Sequence, residues 1–183
     1  MISTYTHAAL PRFAELADRF CRNVTNRDAA SPEVQLRELH ELLARLYVAA
    51  LDLPPTSVLC DDGSDDGDPE PSIAHPHDGE GNPIKLEALE QFLGLRRFYR
   101  EIFDPHSSPE DQEVTGDLLD DFSDIFHDLQ RGLRAWNVGD SGKALWEWRF
   151  LFEAHWGEHA TSAIRALFAL CAWHDSEWPA GAA

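Results

Sequence analysis

Three features of the sequence indicate an all-α protein, namely a single-domain helical bundle of about five helices with a long acidic loop between helices two and three. The 183 residues, of which 43% are hydrophobic, suffice for one buried core. Apolar residues recur three and four positions apart in five segments, which is the period of an amphipathic helix. No segment alternates apolar and polar residues for long enough to specify a strand. We therefore expect residues 1–183 to form one domain.

The first two predicted helices have apolar faces and recognisable ends. Residues 11–25 place apolar side chains at helical spacing. The second helix begins after Ser31, a residue type that caps helix N-termini, and has Pro32 in its first turn. It ends before Pro54 and Pro55, because proline lacks the backbone N–H that a helix needs.

Three further helices are predicted in the second half of the chain. The third covers residues 86–103 and ends before Pro105, and the fourth covers residues 114–136. The fifth covers residues 141–173 and is apolar around most of its circumference. It contains Gly157 near its middle, where we expect it to bend or divide. Helices with such faces pack most simply as a bundle.

The formal net charge is −18 at pH 7, and it is concentrated in two segments. Residues 57–83 contain eight acidic residues and no lysine or arginine, and residues 104–128 contain nine and again none. The first segment is rich in Gly, Pro, Asp and Ser, so we expect a disordered loop that buries too little apolar surface to order itself. Because phosphate backbones and anionic lipids attract positively charged proteins, this charge disfavours nucleic-acid and membrane-surface partners.

Cysteine usage and hydropathy favour a cytoplasmic location. Cys21, Cys60 and Cys171 are odd in number and widely spaced, without a CxxC pair for zinc or redox chemistry. No run approaches the roughly 20 apolar residues of a membrane-spanning helix. The opening residues also lack the basic and apolar regions of a signal peptide. We therefore expect a cytoplasmic protein without a membrane span.

The fourth predicted helix carries a row of aspartates opposite its apolar face. Like charges three and four residues apart repel by roughly 0.2–0.5 kcal/mol per pair, so the row lowers the stability of the helix. One interpretation is a solvated face. The other, which gives the favoured function, is a non-catalytic surface that binds a basic protein partner, as a regulatory, inhibitor or immunity-like protein would. The candidate partner-binding residues are Asp117, Asp120, Asp121, Asp124 and Asp128.

Four charged residues fall on the apolar sides of the third and fifth predicted helices, namely Arg96, Arg100, Arg149 and Glu153. Buried charges need partners, and Arg149 and Glu153 are spaced to pair across one helical turn. One interpretation is an internal salt-bridge network. A second is an anion-binding site between helices three and five, because the arginine fork suits carboxylate and phosphate groups. A third is a set of long side chains that reach solvent.

His155 and His159 lie four residues apart on the fifth predicted helix, a spacing at which two imidazoles can share a metal ion. Asp124 and His127 form a similar pair on the fourth helix. The sequence defines no third and fourth ligand, so we expect histidines that donate to backbone or carboxylate groups, and we assign neither a metal nor a cofactor. Phosphate-binding loops and nucleophile motifs are also missing from the sequence, which disfavours an enzyme. The alternative function is small-molecule or anion binding, with metal-dependent hydrolysis as its extreme form.

Two distinctive segments are WEWRFLFEAHWGEHATSAIRALFAL (residues 146–170) and FYREIFDP (residues 98–105). Both resemble a bacterial family known as domain of unknown function 5063, and the first two predicted helices are similar to the same family. The resemblance implies an all-α fold and a bacterial cytoplasmic protein, and it implies no activity. The candidate polar core of the first segment is Arg149, Glu153, His155, Trp156 and His159.

Overall fold

The structure, a computed structural model, describes residues 4–25, 31–55, 84, 86–102, 106 and 113–173. Its helices confirm the predicted all-α class, and a two-stranded antiparallel sheet is a small addition to them. The expected acidic loop, residues 57–83, lies outside the described residues. None of the described helices is both long enough and apolar enough to cross a membrane. In chain order the elements are α1 (Thr4–Val24), α2 (Pro32–Leu51), α3 (Glu87–Leu93), β1 (Phe98–Glu101), β2 (Val114–Asp117), α4 (Leu118–Asn137), α5 (Ser141–Leu151) and α6 (Gly157–Trp173).

The long helices enclose an aromatic core. Helix α1 packs against α2 and α4, α6 packs against the same two helices, and α5 contacts α4. At the centre, the rings of Phe13 and Trp148 lie 5.0 Å apart. The buried indole N–H of Trp148 donates to the backbone carbonyl of Leu129 at 3.1 Å. Gly132 permits this close approach, because a Cβ at that position would overlap the indole.

The predicted third helix is correct only as far as Leu93. Gly94 ends α3 with a φ of +52°, a conformation that residues with side chains rarely adopt. A short 3-10 turn over Gly94–Arg97 then leads into β1. Arg96 therefore lies in the turn and Arg100 in a strand, so the expectation that both arginines share the apolar side of one helix is wrong.

The fourth helix begins four residues later than predicted, because Val114–Asp117 forms β2 and pairs with β1. The carboxylate of Asp117 accepts a hydrogen bond from the backbone N–H of Leu119 at 3.0 Å, which caps the start of α4. The β1–β2 hairpin thus leads directly into α4. It places Tyr99 of β1 beside the first turn of that helix.

The fifth predicted helix is divided at Gly157, as expected. Helix α5 continues into a π-helical turn over Phe152–Trp156 and then into α6. The backbone N–H of Gly157 donates to the carbonyl of Phe152, and a Cβ on Gly157 would overlap that carbonyl oxygen. Such turns are rare and frequently occur at functional sites. His155 lies within the turn, and His159 follows in the first turn of α6.

Candidate metal centre

Two aspartates of α4 are buried, and each of them holds a histidine. Asp121 is 4% exposed and Asp128 is 6% exposed. The Nδ1 atom of His155 lies 2.7 Å from Oδ2 of Asp128, and Nδ1 of His159 lies 2.9 Å from Oδ1 of Asp121. The expected hydrogen bonds from histidine to carboxylate are therefore confirmed. The expected solvated face, by contrast, does not include these two aspartates, because each carboxylate has exchanged water for an imidazole partner.

The spacing of these pairs brings the two imidazoles together. Asp121 and Asp128 are seven residues apart, about 10.5 Å along α4, whereas the two histidines are four residues apart, about 6 Å along their helix. The later histidine pairs with the earlier aspartate, so the two chain segments run in opposite directions. The imidazoles therefore converge between the two aspartates, and their ring centroids lie 4.8 Å apart.

Asp124 lies beside the two imidazoles and completes a group of three candidate metal ligands. One ligand atom from each of Asp124, His155 and His159 lies within 4.8 Å of the other two. Between Nε2 of His159 and Oδ2 of Asp124 the distance is 3.5 Å. This is close to the roughly 3.3 Å between neighbouring ligand atoms around a tetrahedral zinc ion with bonds of about 2.0–2.1 Å. Because an aspartate occupies Nδ1 of each histidine, Nε2 is the nitrogen left for a metal.

All three candidate ligands are accessible from solvent. The exposed side-chain fractions are 42% for Asp124, 39% for His155 and 30% for His159. Structural zinc sites are closed by four protein ligands, whereas catalytic sites have three and keep a position for water or substrate. The group therefore has the composition of an open site.

A tyrosine from the hairpin holds Asp121 from the other side. The hydroxyl of Tyr99 donates to Oδ2 of Asp121 at 2.7 Å, while Oδ1 of the same carboxylate contacts His159. Burial, together with the contact to Asp121, raises the pKa of Tyr99, so its hydroxyl stays protonated and remains a donor. Nothing in the pattern of the sequence pointed to Tyr99, because its role depends on the position of the hairpin.

The same hydrogen bonds shift the protonation of the group. The pKa of His155 is raised, chiefly by the hydrogen bond to Asp128, and the pKa of His159 is raised, chiefly by the hydrogen bond to Asp121. Burial of Asp121 raises its pKa, against the opposing effect of its bonds to His159 and Tyr99. Protons therefore compete with a metal for these imidazoles more strongly than for an ordinary histidine.

Arg149 and Glu153 form a separate, structural contact. The guanidinium of Arg149 donates to Oε1 of Glu153 at 2.7 Å, which confirms the predicted pair. It also donates to the backbone carbonyls of Ala50 and Leu53, at 3.0 and 3.2 Å. Ala50 lies in the last turn of α2 and Leu53 follows the end of that helix, and the Ala50 carbonyl also accepts from the backbone N–H of Leu53 at 3.1 Å. Arg149 therefore ties α5 to the end of α2.

The other arginines and aspartates predicted as site residues do not belong to the group of Asp124, His155 and His159. Arg100, predicted with Arg149 as an anion-binding residue, instead forms an ion pair with Glu113 at the surface, at 3.0 Å. Arg149 pairs with Glu153. Asp117 pairs with Arg97, also at 3.0 Å. Asp120 is exposed on α4.

His127 is held by its own helix. Its Nδ1 atom lies 2.8 Å from the backbone carbonyl of Ser123. The sequence pattern paired Asp124 with His127, whereas the structure brings Asp124 to His155 and His159. The feature of the sequence that could have predicted this group is a correspondence between two spacings. Asp121, Asp124 and Asp128 lie at positions i, i+3 and i+7 of α4, and His155 and His159 lie at positions i and i+4 of the segment that packs against it.

A family model described as a domain of unknown function, DUF5063, matches residues 5–173. The chain belongs to this family. The DUF5063 resemblance inferred from the sequence is therefore confirmed. The structure of this DUF5063 chain is also similar to the crystal structure of protein BF1032 from Bacteroides fragilis, with a TM-score of 0.60 and 18% identity over 96% of each chain. At that identity the likeness shows the fold alone. No curated protein matches the chain.

Proposed function

We propose that this protein binds a divalent transition-metal ion through Asp124, His155 and His159. The observation that carries the proposal is the arrangement of the imidazoles, each held at Nδ1 by its own buried aspartate with Nε2 left for a ligand. Metal-binding histidines almost always donate their second ring nitrogen to a carboxylate or carbonyl group in this way, which fixes the tautomer and the ring orientation.

The donor set favours a particular class of metal. Two imidazoles and one carboxylate suit zinc, iron and other first-row divalent ions. Calcium and magnesium prefer sites made entirely of oxygen ligands. The negative charge of residues 104–128 also raises the local concentration of cations.

The alternative explanation of the same geometry is structural, with two Asp–His pairs that hold α4 against α6. That explanation accounts for Asp121 and Asp128, which are buried. It also allows Asp124 to pair with a protonated His159, since Oδ2 of Asp124 lies 3.5 Å from Nε2 of His159, but it does not require Asp124 to lie within 4.8 Å of the His155 imidazole as well. Zinc titration of an Asp124 variant therefore distinguishes the metal site from the structural explanation.

The test is isothermal titration of the metal-free protein with ZnCl2. We expect one zinc ion per chain. We expect Asp124→Asn to weaken binding at least tenfold while it lowers the unfolding free energy of the metal-free protein by less than about 1 kcal/mol, because both buried Asp–His pairs remain and only the partly exposed contact to His159 is lost. Asp120→Asn is the matched control, since it removes an exposed carboxylate of the same helix that lies outside the group. Absence of zinc binding to the wild type, or equal effects of the two substitutions, would contradict the proposal. Titration with MgCl2 checks the class of metal, with no binding expected.

The geometry gives less support to the basic-partner hypothesis derived from the sequence. That hypothesis needs a continuous exposed row of carboxylates, and Asp121 and Asp128 are buried against imidazoles. Asp120 and Asp124 remain available to a basic partner. The bacterial cytoplasmic location and the absence of an enzymatic activity likewise stay predictions.

A further inference from the structure

We infer that the β1–β2 hairpin sets the metal affinity of the proposed site, with Tyr99 as the positioning residue. This inference rests on the proposed function. The side-chain hydrogen bond of Tyr99 goes to Asp121, which is not one of the three candidate ligands. Tyr99 acts through Asp121, which accepts from the tyrosine hydroxyl at 2.7 Å and from His159 at 2.9 Å.

Tyr99 acts on His159 through the carboxylate of Asp121, and we call this chain of two hydrogen bonds the relay. Asp121 has two oxygens, and each of them has a different partner, so the tyrosine fixes the direction in which the carboxylate faces the imidazole. Loss of the Tyr99 hydrogen bond frees the carboxylate to rotate. The orientation of His159, and with it the position of Nε2, then becomes less defined. Loss of a partner bonded directly to a metal ligand, as Asp121 is, typically costs 10-fold to 100-fold in metal affinity, so we expect about tenfold, the lower end of that range, from Tyr99 one bond further out.

The hairpin is shaped for this contact. Tyr99 and Gly116 are opposite each other in the antiparallel register of β1 and β2. The ring of Tyr99 lies over Gly116, and any side chain at that position would displace it. Two separate changes therefore disturb the same hydrogen bond. Tyr99→Phe removes the hydroxyl and keeps the ring in place, whereas Gly116→Ala keeps the hydroxyl and moves the ring.

Tyr47 provides a matched control. It lines the same 760 Å³ groove as Tyr99, and its ring packs against Phe152 at 5.2 Å. The hydrogen bonds to Asp121 come from Tyr99 and His159. Tyr47→Phe thus removes a phenolic hydroxyl from the same groove without touching the relay.

The experiment measures the Kd for Zn²⁺ of the wild type, of the three single variants Tyr99→Phe, Gly116→Ala and Tyr47→Phe, and of the double variant Tyr99→Phe/Gly116→Ala. We expect the Kd to rise about tenfold in Tyr99→Phe and in Gly116→Ala, and to stay within twofold of the wild type in Tyr47→Phe. We also expect the double variant Tyr99→Phe/Gly116→Ala to be no weaker than the single variants, because both changes remove one interaction. The His159 imidazole signals in a long-range ¹H–¹⁵N spectrum of the metal-free protein give a second readout, with a lower share of the Nδ1–H tautomer expected in Tyr99→Phe.

The outcomes separate this inference from the proposed function. If the wild type binds zinc and Tyr99→Phe binds it equally well with an unchanged His159 tautomer, the hairpin has no control over the site and the inference is wrong. If the wild type binds no zinc, the proposed function fails and the inference fails with it. A variant that loses stability but retains zinc affinity also refutes the inference, because it assigns Tyr99 a structural role alone.

Discussion

The substitution Asp128→Asn tests which of two roles Asp128 has. Either this buried aspartate orients the candidate metal ligand His155, or it only joins two helices. The substitution keeps the shape of the side chain and an oxygen that accepts from Nδ1 of His155, but it removes the negative charge. A hydrogen bond to a charged group contributes about 1.5–3 kcal/mol to stability and a neutral one about 0.5–1.5 kcal/mol. We therefore expect the metal-free variant to lose about 1 kcal/mol of unfolding free energy.

The effect of Asp128→Asn on metal binding is expected to be larger than its effect on stability. Asp128 is 6% exposed and lies 2.7 Å from Nδ1 of His155, so no water replaces it as an orienting group. Loss of an outer-shell carboxylate typically weakens metal binding 10-fold to 100-fold. This corresponds to about 1.4–2.8 kcal/mol, at 1.4 kcal/mol per factor of ten.

The assay combines urea unfolding of the metal-free protein with zinc titration, and Asp120→Asn serves as the control. A variant that loses unfolding free energy and keeps the wild-type Kd for zinc would refute the reasoning. Asp128 would then act only as a structural partner of His155. The contact between a buried aspartate and Nδ1 of each histidine would no longer support a metal site.

Three further predictions concern stability. Gly132→Ala should lower the unfolding free energy by about 1–3 kcal/mol in thermal denaturation, because its Cβ overlaps Trp148. The raised pKa values of His155 and His159 stabilise the metal-free fold below about pH 6.5, and this contribution is lost as pH rises through the higher folded-state values. Urea unfolding should therefore show an unfolding free energy that falls from about pH 6 to about pH 9, and the fall should be smaller in the double variant His155→Gln/His159→Gln. Arg149→Met should destabilise the protein by about 2 kcal/mol and leave the Kd for zinc unchanged, since it removes the hydrogen bonds from Arg149 to the carbonyls of Ala50 and Leu53.

The helices were predictable because their apolar spacing is a local property of the chain. The hairpin was not, because residues 94–101 have charged and apolar side chains at spacings that also fit a helix. The end of α3 depends on the positive φ of Gly94, and β1 depends on a partner strand that begins thirteen residues after it ends. Such distant pairing leaves little trace in so short a segment.

The candidate site was predictable in part, for a related reason. The i, i+4 spacing of His155 and His159 is visible in the sequence, and so is their tendency to pair with carboxylates. The burial of Asp121 and Asp128 is not, because a charged residue opposite an apolar face is ordinarily solvated. Only the packing of α4 against the segment that contains the histidines turns part of that aspartate row inward.

The most direct measurement is a long-range ¹H–¹⁵N spectrum of the histidine side chains, recorded as zinc is added to the metal-free protein. We predict that the Nε2 signals of His155 and His159 shift as zinc binds, while their Nδ1 atoms remain protonated and bonded to Asp128 and Asp121. The His127 signals should stay in place. Unchanged signals from His155 and His159 at saturating zinc, or shifts confined to other histidines, would contradict the assignment of the metal centre.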